Sequence, residues 1–186
     1  MPTTKPAPSA REQELLERAY SYSLTHGLAD LSLRPLATAI GSSPRVLLFL
    51  FGSKDGLIRA LLARARSDEL TLLEQLRYDE QPGLDVIGRE LWTWLSATER
   101  RPLMNLWVEA YGRSLVSPDG PWGDYARSTV DDWLELLKAS QPDAESKHAR
   151  ARRTAVLALL RGALLDLLAT GDLDRTTRAV EEQLAG

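Results

Sequence analysis

Few side chains in this sequence are equipped to make or break bonds. Its two histidines, His26 and His148, stand far apart, each beside a predicted helix end or loop. Cysteine is absent, which removes thiolate nucleophiles, disulfides and thiolate metal sites. No glycine-rich phosphate loop, nucleophile motif or metal-ligand cluster appears. Neighbouring acids such as Asp131-Asp132 point to different sides of a helix, which suits solvent rather than acid–base work. No catalytic residue, metal or cofactor is expected, and the chain does not read as an enzyme. What remains is donor chemistry suited to an anion. Arg34, Ser42, Ser43, Arg45 and Lys54 lie close together in the chain. Guanidinium forks fit guanine edges and phosphates, while hydroxyls and ammonium groups meet phosphate oxygens.

The elements around these donors read as helices, because β-branched alternation is absent and Gly and Pro fall between apolar stripes. Ser9 caps a first helix running to His26, with Glu12 as its capping-box partner and Gly27 closing it. Leu33 to Ala39 forms a short second helix, stopped by Gly41. Ser43 before Pro44 joins an N-cap hydroxyl to a proline at the first helical position, opening a third helix to about Leu50. Ser53 caps a long fourth helix, Lys54 to about Tyr78. Two-turn helices are marginal alone. Two of them joined by a glycine turn and flanked by longer helices describe a helix-turn-helix. Later helices are expected over Leu84–Thr98, Pro102–Val116, Pro121–Ala139, Ala144–Thr170 and Asp174–Leu184.

The segment Leu31–Leu57 resembles the DNA-binding signature of the TetR (tetracycline-repressor-like) family. Leu36-Ala37, Gly41, Ser43, Leu47, Phe51, Ser53, Lys54 and Leu57 carry the likeness, which is specific from Arg11 to Ile58. It implies an all-α fold: an N-terminal three-helix helix-turn-helix domain over 9–57, then a helical ligand-binding and dimerisation domain over 58–186, about nine helices in all. It also implies a homodimer and a ligand-sensing body. In such a motif the second helix enters the major groove N-terminus first. Arg45 then pairs bidentately with guanine, and Val46 offers methyls to thymine. Ser42, Ser43 and the free backbone N–H groups of the helix start, which Pro44 opens, receive phosphate. Lys54 and Arg34 are further phosphate contacts, and Leu48, Phe49 and Leu50 complete the surface turned to DNA.

Leu48 and Leu50 depart from the pattern, since the family usually carries tyrosine at the first and histidine or tyrosine at the second. The run L-L-F-L-F donates no side-chain hydrogen bonds. Either DNA binding leans on Arg45, Lys54 and main-chain groups, or the chain is a helical dimer with weakened DNA binding that serves as a ligand-binding or interaction module.

All five tryptophans fall between residues 92 and 133. Trp92, Met104, Trp107, Tyr111 and Trp122 either line an apolar cavity among the middle helices or simply fill the core. Asn105, Glu109 and Arg113 either orient a ligand or face water. The resemblance implies a pocket closed by the Val156–Leu168 helix, with Leu160 in its lining, and an uncharged or weakly polar small effector that releases DNA. That closing helix is apolar on nearly all sides and needs cover on more than one face. A symmetry mate packed on Leu157, Leu164, Leu168, Val180 and Leu184 would supply it. Charge follows the same division: residues 1–66 hold nine Lys or Arg against five acids, and 67–186 hold 14 against 21. A basic end suits a double-stranded operator and an acidic body does not. With no apolar leader and no span of the roughly 20 residues that cross a bilayer, the expected setting is the cytoplasm, without membrane contact.

Overall fold

A computed structural model describes residues 9–28, 30–76 and 82–185. Among them are nine α-helices and no strand: α1 (Ala10–His26), α2 (Leu33–Ala39), α3 (Pro44–Phe51), α4 (Lys54–Gln75), α5 (Leu84–Ser96), α6 (Arg101–Val116), α7 (Tyr125–Ala139), α8 (Lys147–Thr170) and α9 (Leu173–Leu184). A 3-10 turn, Thr98–Arg100, leads into α6. The all-α expectation of about nine helices holds. The expected end of the fourth helix at Tyr78 lies outside the described residues. Two helices start later than expected. Trp122 and Gly123 are spent on a tight turn, Gly123 at φ +26°, so α7 begins at Tyr125. Ser146 rather than Ala144 opens α8, accepting the Ala149 N–H at 3.0 Å.

The N-terminal helices are bounded by local hydrogen bonds that short side chains supply. Ser9 accepts from Glu12 N–H at 3.1 Å, Ser43 from Val46 at 3.3 Å and Ser53 from Gly56 at 2.9 Å. Each satisfies one of the N–H groups that a helix start leaves unpaired. The turn between α2 and α3 closes by two bonds, Ser42 N–H to Ala37 C=O and Gly41 N–H to Thr38 C=O. That is the Schellman pattern, which needs a left-handed residue at Gly41, here φ +67°. Gly56 is fixed for another reason. A Cβ there would lie 2.0 Å from the Phe51 carbonyl oxygen, so only glycine lets α4 start so close to the end of α3.

Two apolar clusters hold the molecule. The first gathers Leu15, Leu36, Leu47, Phe51, Leu57 and Leu61 beneath α1–α4, and it continues into Leu106 and Ala110 of α6 and Trp122 and Tyr125 at the start of α7. The second packs α5, α7, α8 and α9 around Leu91, Leu137, Leu160, Leu164 and Val180. Helix α6 borders both, with Leu103 and Trp107 against each. Polar links reinforce the first junction. Glu109 of α6 accepts the Leu28 N–H at 2.9 Å, Tyr20 donates to Asp68 at 2.9 Å, and Arg66 of α4 pairs with Asp132 of α7.

Candidate nucleic-acid interface and internal pocket

Helix α3 stands on the surface with its first turn free. Leu47 and Phe51 are buried, four apart on the face that meets α1, α2 and α4. The opposite face presents Arg45, Val46, Leu48 and Phe49, and Ser43 is exposed at its start. Phe49 is 85% exposed, and nothing among the described residues covers it. Arg34 and Lys54, at the starts of the neighbouring α2 and α4, are exposed as well. Anions are attracted to the start of α3 by the dipole and by the Arg45 N–H; Pro44 has no N–H, and those of Val46 and Leu47 are taken by Ser43. Ser43 spends a lone pair on the Val46 N–H but keeps its own hydroxyl proton for a phosphate. Three positions differ from their expected placement. The Ser42 hydroxyl is buried without a hydrogen-bond partner, out of reach of a phosphate in this conformation. Leu50 leans on the N-terminal core, and Pro44 is half-buried.

An internal pocket lies in the body, lined by Ala65 and Glu69 of α4, Trp94 and Leu95 of α5, Leu103, Met104 and Trp107 of α6, Tyr125 and Trp133 of α7, and Arg161 and Leu164 of α8. Its empty space, counted up to the atoms and including the part open to solvent, is about 430 Å³. Only about 20 Å³ of it is free to water, room for one or two molecules. The expected cavity is therefore nearly closed in this conformation, because indole rings fill it.

The polar groups of the pocket are unusual for so apolar a place. Glu69 is 5% exposed. Its Oε1 accepts from Trp133 Nε1–H, while Oε2 is buried without a partner. Burial pushes its carboxyl up to about 7, against the opposing pull of Trp133 and Arg66. Arg161 donates from Nη1 to the Tyr111 hydroxyl at 3.0 Å and lies 5.0 Å from the Tyr111 ring and 5.6 Å from that of Trp107. Its Nη2 and the Trp107 Nε1 are both buried and unpaired. Burial holds the Arg161 guanidinium below its ordinary value, with Tyr111 and Glu69 opposing.

Of the residues expected around a ligand, Met104 and Trp107 line this pocket. Tyr111 touches it through Arg161. The others lie elsewhere: Trp92 donates to Thr177 at 2.9 Å between α5 and α9, Trp122 belongs to the N-terminal core, and Leu160 is fully buried in the second core. Asn105 and Arg113 are exposed, and Glu109 serves the α1–α6 junction. Glu69, Trp94, Trp133 and Arg161 were not singled out from the sequence. Arg161 did interrupt the longest apolar run, and Glu69 shares a helical stripe with Ala65, Leu72 and Leu73; those breaks in apolar pattern were the available signal.

The expected dimer residues also need correction. Leu157, Leu164, Val180 and Leu184 are each 6% exposed or less and belong to the protomer's own core, and Leu168 is packed against it. Helix α8 leaves open the opposite stripe: Ala155, Ala158, Gly162, Leu165 and Ala169 are exposed and Leu159 half-buried. Apolar residues surround α8, so spacing alone did not distinguish its inner face from its outer one.

No protein-family model matches the sequence, and no curated protein does either. Solved structures match over nearly the whole chain. A transcriptional regulator from Rhodococcus sp. Rha1 superposes with a TM-score of 0.75 at 20% identity, covering 94% of each chain. A TetR transcription regulator from Haloarcula marismortui ATCC 43049 gives 0.74 at 17% identity, covering 94% of this chain and 96% of its own. This chain has the TetR fold. The multidrug binding protein EbrR in complex with ethidium shares it too, with a TM-score of 0.71 at 22% identity over 96% and 99% of the two chains. Within that TetR fold, α3 is the exposed helix of the helix-turn-helix, and the Glu69–Arg161 pocket lies in the helical body behind it. Among the described residues no helix is long and apolar enough to cross a membrane.

Proposed function

We propose that the chain is a transcription regulator of the TetR kind, a homodimer that binds a pseudo-palindromic operator through α3 and is released by a small effector. The carrying observation is the surface of α3: a capped helix start with Arg45 in its first turn, and exposed Arg34 and Lys54 opening the neighbouring α2 and α4. Residues 9–57 are the DNA-reading part and 58–186 the sensing and dimerising part. Two copies meet through the open stripe of α8, where Ala155, Gly162 and Leu165 let helices approach closely, with Leu173 of α9 beside it. Nothing about the site calls for catalysis.

Coupling has two routes. Helix α4 begins at Lys54 and reaches the pocket at Ala65 and Glu69. Helix α6 lines the pocket with Met104 and Trp107 and holds the end of α1 through Glu109. An effector that pries these rings apart shifts both helices, and with them the spacing of the two α3 helices in the dimer. It lowers operator affinity only by binding the open, DNA-incompetent arrangement more tightly.

One observation favours a second reading. Val46, Leu48 and Phe49 give α3 an apolar outer face, which suits a protein partner as well as a groove. Selection from a randomised duplex pool with purified full-length protein separates the two. Enrichment of an inverted repeat supports the regulator, and a pool that stays random at low salt overturns it.

A further inference from the structure

The pocket contains an imbalance that its own residues do not resolve. Three of its lining side chains, Glu69, Trp107 and Arg161, each bury a polar atom with no partner. Buried groups of this kind are nearly always satisfied, and each one left bare costs stability. Two of the three, Arg161 Nη2 and Trp107 Nε1, can only donate. The Arg161 guanidinium lies 5.6 Å from the centre of the Trp107 ring, and both side chains line this one pocket. No acid pairs with Arg161 among the described residues. The neighbouring carboxylate Asp132 is engaged by Arg66, and the Oε1 of Glu69 by Trp133. The remaining walls are aliphatic side chains of α4, α5, α6 and α8 and the rings of Trp94, Tyr125 and Trp133.

We propose that this pocket takes the carboxylate of a small aryl-alkyl acid, its oxygens accepting from Arg161 Nη2 and Trp107 Nε1 and its ring lying among the indoles. This rests on reading the pocket as the effector site. A carboxylate supplies the acceptors that both donors lack and compensates the buried guanidinium. A dianion would lose too much hydration in such apolar walls, and a cation would meet Arg161. Glu69, whose carboxyl burial holds near 7, adds a third donor in its protonated form. Entry requires Trp94 to swing away; it is half-exposed and stacks beneath the Arg100 guanidinium, 4.5 Å from its centroid.

The test is a titration of tryptophan fluorescence in the full-length protein with three matched probes: 3-phenylpropanoate, 3-phenylpropanamide and 3-phenylpropylamine. The carboxylate should bind at least about tenfold more tightly than the amide or the amine, the scale of hydrogen bonds to charged groups. Arg161→Gln should erase that preference, bringing carboxylate affinity down to that of the amide. Trp107→Phe, which keeps a ring and removes the donor, should lower carboxylate affinity severalfold and covers the case in which Arg161→Gln does not fold. Equal or tighter binding of the amide or amine overturns the inference, and so does the absence of saturable carboxylate binding. Operator binding is measured in parallel. Carboxylate bound without loss of operator affinity sustains this inference and removes the effector reading. Release of DNA by the amine alone does the reverse.

Discussion

In the proposed regulator, Arg45 and Lys54 both bring a positive charge to DNA, yet they differ in what each can read. Arg45 sits in the first turn of α3, where its fork would reach base edges. Lys54, at the start of α4, is a point charge suited to the backbone. Arg45→Ala should therefore cost about 1–3 kcal/mol at the preferred site and relax base choice there, whereas Lys54→Ala should weaken all sequences alike and lower the salt slope by about one. Binding isotherms over a salt series distinguish them; an Arg45→Ala protein as selective as its parent would displace base readout from that residue. Glu69 governs a different property. Its carboxyl stands at about 7 when folded against 4.5 in the ordinary case, so the folded state holds that proton more tightly than the unfolded state does. Stability should fall as pH rises from 4.5 to about 7 and level off above it, by up to roughly 3 kcal/mol from this group. Urea denaturation at pH 5 and pH 8 measures the slope. Glu69→Gln should flatten it relative to the parent, and equal slopes in the two proteins would place the proton elsewhere.

At the scale of elements, the boundary between α3 and α4 is set by backbone crowding. Gly56 faces the Phe51 carbonyl oxygen so closely that any side chain must push α4 away from α3. Gly56→Ala should destabilise the protein by about 1–3 kcal/mol, the usual range for overpacking, despite its better helix propensity. Thermal melts should show a lowered midpoint, and unchanged or raised stability would mean that α4 yields without loss. The same region shows what was legible in the sequence. Ser9, Ser43, Ser53 and Gly41 act on N–H and C=O groups within five residues, so their roles could be read from spacing alone. Glu69 and Trp133 meet across 64 positions, and no local pattern announces that pairing. Helix α8 is harder again. Apolar residues surround it, and only packing against α5, α7 and α9 decides that Leu157 and Leu164 turn inward while Leu165 stays out. The five tryptophans are likewise divided among a core, a junction and the pocket by tertiary packing that their clustering in sequence does not reveal.

For the whole molecule, the open stripe of α8 sets the expected assembly. Leu165 is 50% exposed and Leu173 42%, and Gly162 has nothing within 4 Å of where a Cβ would stand. Sedimentation of the parent should give about twice 20.7 kDa. Leu165→Glu should shift it toward a single chain without altering its helical signal, because that side chain takes no part in the protomer core. A variant still fully dimeric at micromolar concentration would move the interface off α8.

The first core has a consequence for modularity. Leu106, Ala110, Trp122 and Tyr125 belong to the body by sequence, yet they close the apolar interior beneath α1–α4. The DNA-reading end is thus not a cassette. Cut after residue 57, it would lose Leu61 and Ala65 together with that roof, leaving Leu15, Ala19 and Leu57 facing water. A chimaera that transplants the reading head onto another sensor must carry a matching α6 face with it, including an acceptor for the Leu28 N–H where Glu109 now stands. Swapping the sensor while keeping the operator is therefore a problem of refitting one helix rather than of choosing where to cut.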